Sequence, residues 1–242
     1  MILKICGITN QDDATAAIEA GATALGFNFY PRSPRYIVPE QAAEILTAEG
    51  VRRVGVFVNE TRERVEEIAG VARLDVAQLH GDETPADYPG SSLVAQALPH
   101  GRGSDRGLNR SRDREGAVRG GNMIAGAVAR TIPLAVWKAL RVGDSFDITL
   151  YQETPAEALL LDGPAAGLYG GSGRSFNWRL VRETHRKIVL AGGLDASNVA
   201  TAVDLVRPWG VDACSRIESS PGKKDHKKMN EFLQAAMAAA RS

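Results

Sequence analysis

A lone thiol at the end of an apolar run opens this 242-residue chain: Met1-Ile-Leu-Lys-Ile-Cys-Gly-Ile-Thr-Asn10 reads as a short strand that delivers Cys6 to a glycine turn. A thiol held there works as a base or nucleophile if its neighbours lower its pKa, and is inert core if they do not. Its counterpart is Asp162, which follows the run Ala158-Leu-Leu-Leu161, so its carboxyl leaves an apolar strand at the rim. Partial desolvation there raises a carboxyl pKa towards that of a useful general acid, whereas the plainer role of such an Asp is to cap the next turn. Two glycine-rich stretches offer a second kind of chemistry. Ala191-Gly-Gly-Leu-Asp195 opens a helix, and Ser215-Arg-Ile-Glu-Ser-Ser-Pro-Gly222 precedes the basic pair Lys223-Lys224. Backbone free of side chains can approach an oxyanion and donate N–H groups to it; the plain alternative is that Gly192-Gly193 makes a tight strand-to-helix turn. Gly170-Gly-Ser-Gly173 reads as a loop able to fold over a ligand and exclude water.

These groups need a frame that brings them together. Short β-rich apolar runs recur at Leu3–Cys6, Ala24–Phe29, Arg53–Val58, Val76–His80, Leu134–Leu140, Ala158–Asp162, Ile188–Ala191 and Val211–Ser215. Among them lie segments with helical spacing, Gln11–Ala20, Pro39–Ala48, Thr61–Val71, Ala196–Val206 and Lys224–Ala240. Thr9-Asn-Gln-Asp12 reads as a capping box and Asp195 as an N-cap. The alternation predicts βα units and a parallel sheet. Eight units without a competing antiparallel pattern predict an α/β protein built as one (β/α)8 barrel over residues 1–242, rather than an open doubly wound sheet. In such barrels reactive residues sit at the C-terminal ends of the strands, and the loops after strands seven and eight often hold phosphate. Cys6, Asn28, Asn59, His80, Lys138, Asp162, Gly192-Gly193 and Ser215 all fall at or just beyond the ends of the runs. The barrel is therefore expected to gather them at one mouth, with a small phosphorylated molecule as the ligand.

Composition narrows the partners. Lys and Arg number 29 and Asp and Glu 29, for zero net charge, and 44% of residues are hydrophobic, the balance of a globular protein. Neutral charge argues against a dedicated nucleic-acid binder, which needs many cations against phosphates. Two cysteines, Cys6 and Cys214, are too few for a disulfide framework and lack metal-ligand spacing, so a reducing compartment is expected and no metal. No apolar run approaches the roughly 18 residues of a membrane span and no signal peptide is readable, which makes the cytoplasm the expected location. The alanine-rich end of Lys224–Ala240 suits packing on its own barrel or on a second copy, so monomer and homodimer are both open.

The joint set of segments resembles the phosphoribosylanthranilate isomerase family of tryptophan biosynthesis. The segments are Lys4-Ile-Cys-Gly-Ile-Thr9, Ala24-Leu-Gly-Phe-Asn-Phe-Tyr-Pro-Arg-Ser-Pro-Arg-Tyr36, Val54-Gly-Val-Phe-Val-Asn59, Gln78-Leu-His-Gly-Asp82, Leu160-Leu-Asp162, Gly167-Leu-Tyr-Gly-Gly-Ser-Gly173, Val189-Leu-Ala-Gly-Gly-Leu194 and Ser219-Ser-Pro-Gly-Lys-Lys-Asp225. The resemblance implies a (β/α)8 barrel and an Amadori rearrangement of N-(5-phosphoribosyl)anthranilate to 1-(2-carboxyphenylamino)-1-deoxyribulose 5-phosphate, without redox cofactor or metal. It implies Asp162 as general acid, Cys6 as general base, Arg35 facing the anthranilate carboxylate, and Gly192, Gly193 and Ser215 holding the phosphate.

Two departures accompany it. Where the family pattern reads Ser-Ser-Gly-Val-Glu, this chain has Cys214-Ser-Arg-Ile-Glu218, so Arg216 replaces a glycine. Arg216 is expected to bind the phosphate; the competing outcome is strain, if the position needs positive φ. Residues 99–121 form an insertion rich in Gly, Arg, Ser and Asp, with Arg102, Arg106, Arg110 and Arg114 at every fourth position, expected to be a mobile, solvated excursion from the barrel face opposite the mouth. Two other readings stand beside the family's reaction. One is an isomerase acting on the histidine-pathway aminoaldose or on both substrates, although those enzymes resemble a twofold-repeated barrel with an Asp base on strand one, where this chain has Cys6. The other is a barrel that binds a phosphorylated ligand without turning it over.

Overall fold

The computed structural model describes residues 1–84, 93–95, 132–163, 175–181 and 184–241. Eight short strands form the frame: β1 (Ile2–Cys6), β2 (Ala24–Asn28), β3 (Arg52–Phe57), β4 (Val76–Leu79), β5 (Ile132–Arg141), β6 (Ala158–Asp162), β7 (Ile188–Leu190) and β8 (Gly210–Ala213). Each pairs in parallel with its sequence neighbour, β8 pairs with β1, and the ring is closed. Strands this apolar are buried on both faces, as parallel sheets require. Alternation along them splits the core in two. Ala24, Val54, Val76, Trp137, Ala139, Ala158, Leu160, Val189 and Ala191 fill the barrel interior. Residues of opposite parity, such as Leu3, Ile5, Leu25, Phe27, Leu159 and Leu161, pack outward against the helices. Each such side chain taken out of water contributes about 1.5–3 kcal/mol.

The helices are α1 (Gln11–Glu19), α2 (Pro39–Glu44), α3 (Arg62–Ala72), α4 (Val199–Val206) and α5 (His226–Ala239). Three starts differ from the sequence expectation. Asn10, not Thr9, caps α1: its Oδ1 accepts from Asp13 N at 2.8 Å, and its Nδ2 donates to Asp13 Oδ2 at 2.9 Å. Asn is among the strongest caps, and the Thr9 hydroxyl is taken elsewhere, donating to Gly222 O at 2.6 Å and tying the loop after β1 to the loop after β8. Asp195 closes the turn that precedes α4, accepting from Ser197 N at 2.9 Å, and the helix itself starts at Val199. Lys223–Lys224 is a short strand antiparallel to Glu218–Ser220, so α5 begins at His226 with Asp225 as its cap. Between β5 and β6, and between β6 and β7, the described residues hold 3-10 turns at Ile148–Tyr151 and Trp178–Val181. A further short strand, Leu93–Ala95, runs antiparallel to β5 and was not expected. The insertion at 99–121 and the loop Gly170–Gly173 lie outside the described residues.

α5 buries Met229, Phe232, Leu233 and Ala236, with neighbours in α1 and α4 of its own barrel. The face holding the strand N-termini carries a charged and aromatic layer. Trp137 Nε1 donates to Glu157 at 2.9 Å, Glu157 pairs with Arg52 at 3.0 Å, and Arg52 and Lys187 lie over the Trp209 ring. Conserving the frame rather than reacting is the usual duty of that face. Among the described residues no helix is long and apolar enough to cross a membrane.

Candidate active site

At the opposite face the strand ends surround a cavity of about 290 Å³ lined by Cys6, Asn28, Arg35, Gln78, His80, Asp162, Gly192, Gly193, Asp212, Cys214, Ser215 and Arg216, among others. Period-two alternation explains the membership. Lys4 and Cys6 share the inward parity of β1, and Asp162 the inward parity of β6, in line with Ala158 and Leu160 of the inner core. Lys138 has the opposite parity to Trp137 and Ala139, so it leaves the barrel wall and donates to Gly81 O at 2.7 Å. Asn59, with left-handed φ of 52°, is bound to the loop after β4, its Oδ1 accepting from Asp82 N at 2.7 Å. Neither lines the cavity, so the mouth gathers the other predicted residues without these two.

Beneath Cys6 lies a buried ion pair. Lys4 and Asp212 are register partners on β1 and β8, and Lys4 Nζ stands 3.0 Å from Asp212 Oδ1. Burial opposes the Lys4 charge, but the Asp212 carboxylate and the Cys6 sulfur outweigh it and hold the ammonium protonated. Burial pushes Asp212 up to about 7 in spite of Lys4. The Cys6 thiol is held well below the ordinary thiol range by the hydrogen bond from Cys214, helped by Lys4 and Lys224 against the cost of burial. Cys214 is pushed the other way by that same bond and by burial. The two sulfurs are thus driven in opposite directions, Cys6 towards the thiolate and Cys214 towards the thiol.

A second network borders the thiols. Arg35 grips Glu218 with Nε at 2.9 Å from Oε1 and Nη2 at 2.7 Å from Oε2. Lys224 Nζ bonds Glu218 Oε1 at 2.8 Å and lies 3.9 Å from Cys214 Sγ. Burial would raise the Glu218 carboxyl, but Arg35 and Lys224 keep it below its usual range. Arg35 therefore lines the cavity in a fixed orientation, with Nη1 outside the pairing to Glu218.

Asp162, 7% exposed, accepts from Gly163 N at 2.8 Å, and His80 Nε2 stands 3.3 Å from its Oδ2. With Gln78 Nε2 donating to His80 Nδ1 at 2.8 Å, the imidazole proton is assigned to Nε2, facing Asp162.

Gly192 and Gly193 both have left-handed backbone, φ 78° and 64°, which side chains adopt only under strain. Ser215 and Arg216 follow in the turn Ser215–Ile217. Arg216 is not among the described residues with positive φ, so replacing the expected glycine brings no backbone strain; its Nε pairs with Asp195 Oδ2 at 2.6 Å across the cavity rim.

Lys4, Gln78, Asp212, Cys214, Glu218 and Lys224 were missed as site groups. Lys4 and Asp212 carried a signal, a charge inside an apolar strand, which marks an inward polar layer. Among the described residues no cluster of three or more His, Cys, Asp or Glu has the arrangement of a metal site.

The chain is similar to known proteins along nearly its whole length. The sequence model of N-(5'phosphoribosyl)anthranilate (PRA) isomerase matches residues 3–99 and 121–235. An N-(5'-phosphoribosyl)anthranilate isomerase of Solibacter usitatus strain Ellin6076 is 56% identical over 239 residues, 99% of this chain and 98% of the relative. The crystal structure of phosphoribosyl anthranilate isomerase from Thermus thermophilus superposes with TM-score 0.75 at 32% identity, covering 98% of this chain and 99% of that one. Another crystal structure, phosphoribosyl anthranilate isomerase in complex with reduced 1-(o-carboxyphenylamino)-1-deoxyribulose 5-phosphate, gives TM-score 0.71 at 34% identity over 98% and 100%. Matched in sequence along nearly its whole length and in barrel architecture as well, the chain belongs to the N-(5'-phosphoribosyl)anthranilate isomerase family.

Proposed function

We propose that Asp162 is the general acid and Cys6 the general base of the rearrangement that this enzyme, an aldose–ketose isomerase of tryptophan biosynthesis, carries out. Asp162 protonates the furanose ring oxygen of N-(5-phosphoribosyl)anthranilate, the ring opens to a Schiff base, and Cys6 takes the proton from C2′. The enolamine so formed tautomerises to the aminoketose, 1-(2-carboxyphenylamino)-1-deoxyribulose 5-phosphate. The observation that carries the assignment is that Cys6 and Asp162, from β1 and β6, line one cavity together. A thiolate kept low by Cys214, Lys4 and Lys224 is a competent base, and holding both groups against a bound sugar supplies the orientation that acid–base catalysis requires.

The substrate's two anionic ends find matching sites. A guanidinium suits the planar anthranilate carboxylate, and Arg35 is held by Glu218 at the cavity wall. Gly192, Gly193, Ser215 and Arg216 take the phosphate, with backbone N–H groups of the left-handed turn and the Arg216 charge as donors. In this reading Arg216 exchanges or shares its Asp195 partner when phosphate binds. A carboxylate on one side and a phosphate on the other fix the register of the sugar between acid and base.

Decay of substrate fluorescence, corrected for spontaneous breakdown, tests the roles. Cys6→Ser and Asp162→Asn should each lose about 10²- to 10⁴-fold in kcat with an unchanged melting curve. A folded variant that keeps more than a tenth of the wild-type rate removes that residue from the mechanism.

A further inference from the structure

Lys4 and Asp212 are opposite each other in the β1–β8 register, and the paired register ends with Ile5 against Ala213. The next step sets Cys6 beside Cys214, on the same inward parity as the ion pair below. Neighbouring strands lie about 4.8 Å apart, inside the roughly 4.4–6.8 Å between Cα atoms that a disulfide spans. Both side chains line the same cavity, so the register brings the two sulfurs to one mouth. Both sulfurs belong to residues that line the cavity and are partly exposed there, so a molecule as small as a peroxide can reach them.

We propose that Cys6 and Cys214 form a peroxide-reactive dithiol, which hydroperoxides convert to an intramolecular disulfide across the mouth of the barrel. The contrast between the two sulfurs suits the chemistry, because a reactive low-pKa thiolate beside a resolving thiol is the arrangement of redox-sensitive cysteines. In the first step the Cys6 thiolate attacks a peroxide oxygen; the S–O bond forms, the O–O bond breaks, and the departing oxyanion leaves with the electron pair and takes up a proton. Cys6 is then a sulfenic acid. In the second step the Cys214 sulfur attacks the Cys6 sulfur; the S–S bond forms, the S–O bond breaks, and the hydroxyl leaves as water with the proton from Cys214. Two thiols are oxidised, and the hydroperoxide is reduced to an alcohol and water. The consequence for catalysis rests on the reading of Cys6 as base: a sulfur held in a disulfide accepts no proton, so the enzyme is off until a thiol reductant restores it. Formation of the bond does not depend on that reading.

The test treats the purified full-length protein with hydrogen peroxide, blocks remaining thiols with N-ethylmaleimide, and follows intact mass, unreduced peptide maps and isomerase rate. The expected result is loss of the mass of two hydrogen atoms, a cross-linked Cys6–Cys214 peptide, and a rate lowered at least about tenfold that dithiothreitol restores. In Cys214→Ser the same dose should instead drive Cys6 to sulfinic and sulfonic acids, adding two or three oxygen atoms that dithiothreitol does not remove. Oxygen addition at wild-type Cys6 with no cross-linked peptide overturns the dithiol. A disulfide that forms while the rate is unaffected leaves the dithiol standing and removes Cys6 as the base.

Discussion

Replacing Lys4 by Met removes the cation beneath Cys6 and keeps a buried side chain of similar length. Cys6 Sγ and Lys4 Nζ lie 2.8 and 3.1 Å from one point, the place a Cβ on Gly26 would occupy. They are therefore within about 6 Å of each other, where two unit charges at an effective dielectric constant of about 20 interact by about 3 kcal/mol. Asp212, 3.0 Å from Lys4, offsets part of that field, so the expected fall in the thiol ionisation constant is between about 10- and 100-fold. Asp212→Asn should act in the opposite sense, since it removes an anion that disfavours the thiolate and leaves the cation in place. The assay is the rate of iodoacetamide alkylation at Cys6 against pH, read on the Cys6 peptide by mass spectrometry, alongside kcat/KM over the same range. Breaking a buried ion pair by removing one partner costs about 3–5 kcal/mol, so melting curves accompany each variant. In Lys4→Met the orphaned carboxyl is already pushed up to about 7 and takes a proton, which limits the loss. Movement of both variants in the same direction, or no movement in folded Lys4→Met, would refute the electrostatic account of Cys6.

Asp212 also makes stability depend on pH. Its pKa is raised from 3.8 to about 7 in the fold, so the folded state binds the proton more tightly; its stabilising contribution is complete below about 4 and is lost as pH rises through about 7. Thermal melts between pH 4 and 8 should show this slope in the wild type and a flatter profile in Asp212→Asn. Gly193→Ala places a side chain at φ 64°, which should lower stability by about 1 kcal/mol and raise KM more than it lowers kcat, measured by fluorescence turnover; an unchanged KM would separate this turn from the phosphate. Arg216→Ala breaks a partly exposed ion pair, so the melting temperature should hardly move, while KM rises if the guanidinium meets phosphate. Arg53→Met should cost about 3 kcal/mol or more by chemical denaturation, because its buried guanidinium donates to the carbonyls of Ala42, Ile45 and Ala72 at the ends of α2 and α3, and of these only Ala42 O keeps a second donor among the described residues, Ile45 N. Removing residues 100–120, which the family model passes over, should leave turnover intact, checked by kcat of the deletion variant.

Much of the barrel is legible in the sequence. All eight runs became strands within two residues at each end, because local β-propensity and double-sided burial agree in a parallel sheet. Position alone placed Cys6, Asp162, Gly192, Gly193 and Ser215 at the mouth, and they line its cavity, since a strand C-terminus in a closed barrel points to one place. The resemblance to the family added Arg35 and the reaction. Helix starts were less legible: Thr9 and Asn10 are both good caps, and only the approach of the loop at Gly222 decided which side chain was free to serve α1.

What tertiary structure alone decided was direction and company. Asn59 and Lys138 sit near strand ends, but one step of strand parity carries Lys138 out of the barrel, and the backbone at Asn59 turns to the loop at Asp82. Arg216 lay beside a glycine-rich stretch in sequence, yet its partner is Asp195, 21 residues away. The state of Cys6 depends on Lys4 two residues before it, but also on Cys214 and Lys224, which a parallel register and a closed ring bring from the far end of the chain. Sequence sets which side chains lie on one strand face, a local property of period two. A pKa is set by charges within a few ångströms, and among residues some 200 apart those distances exist only once the ring closes.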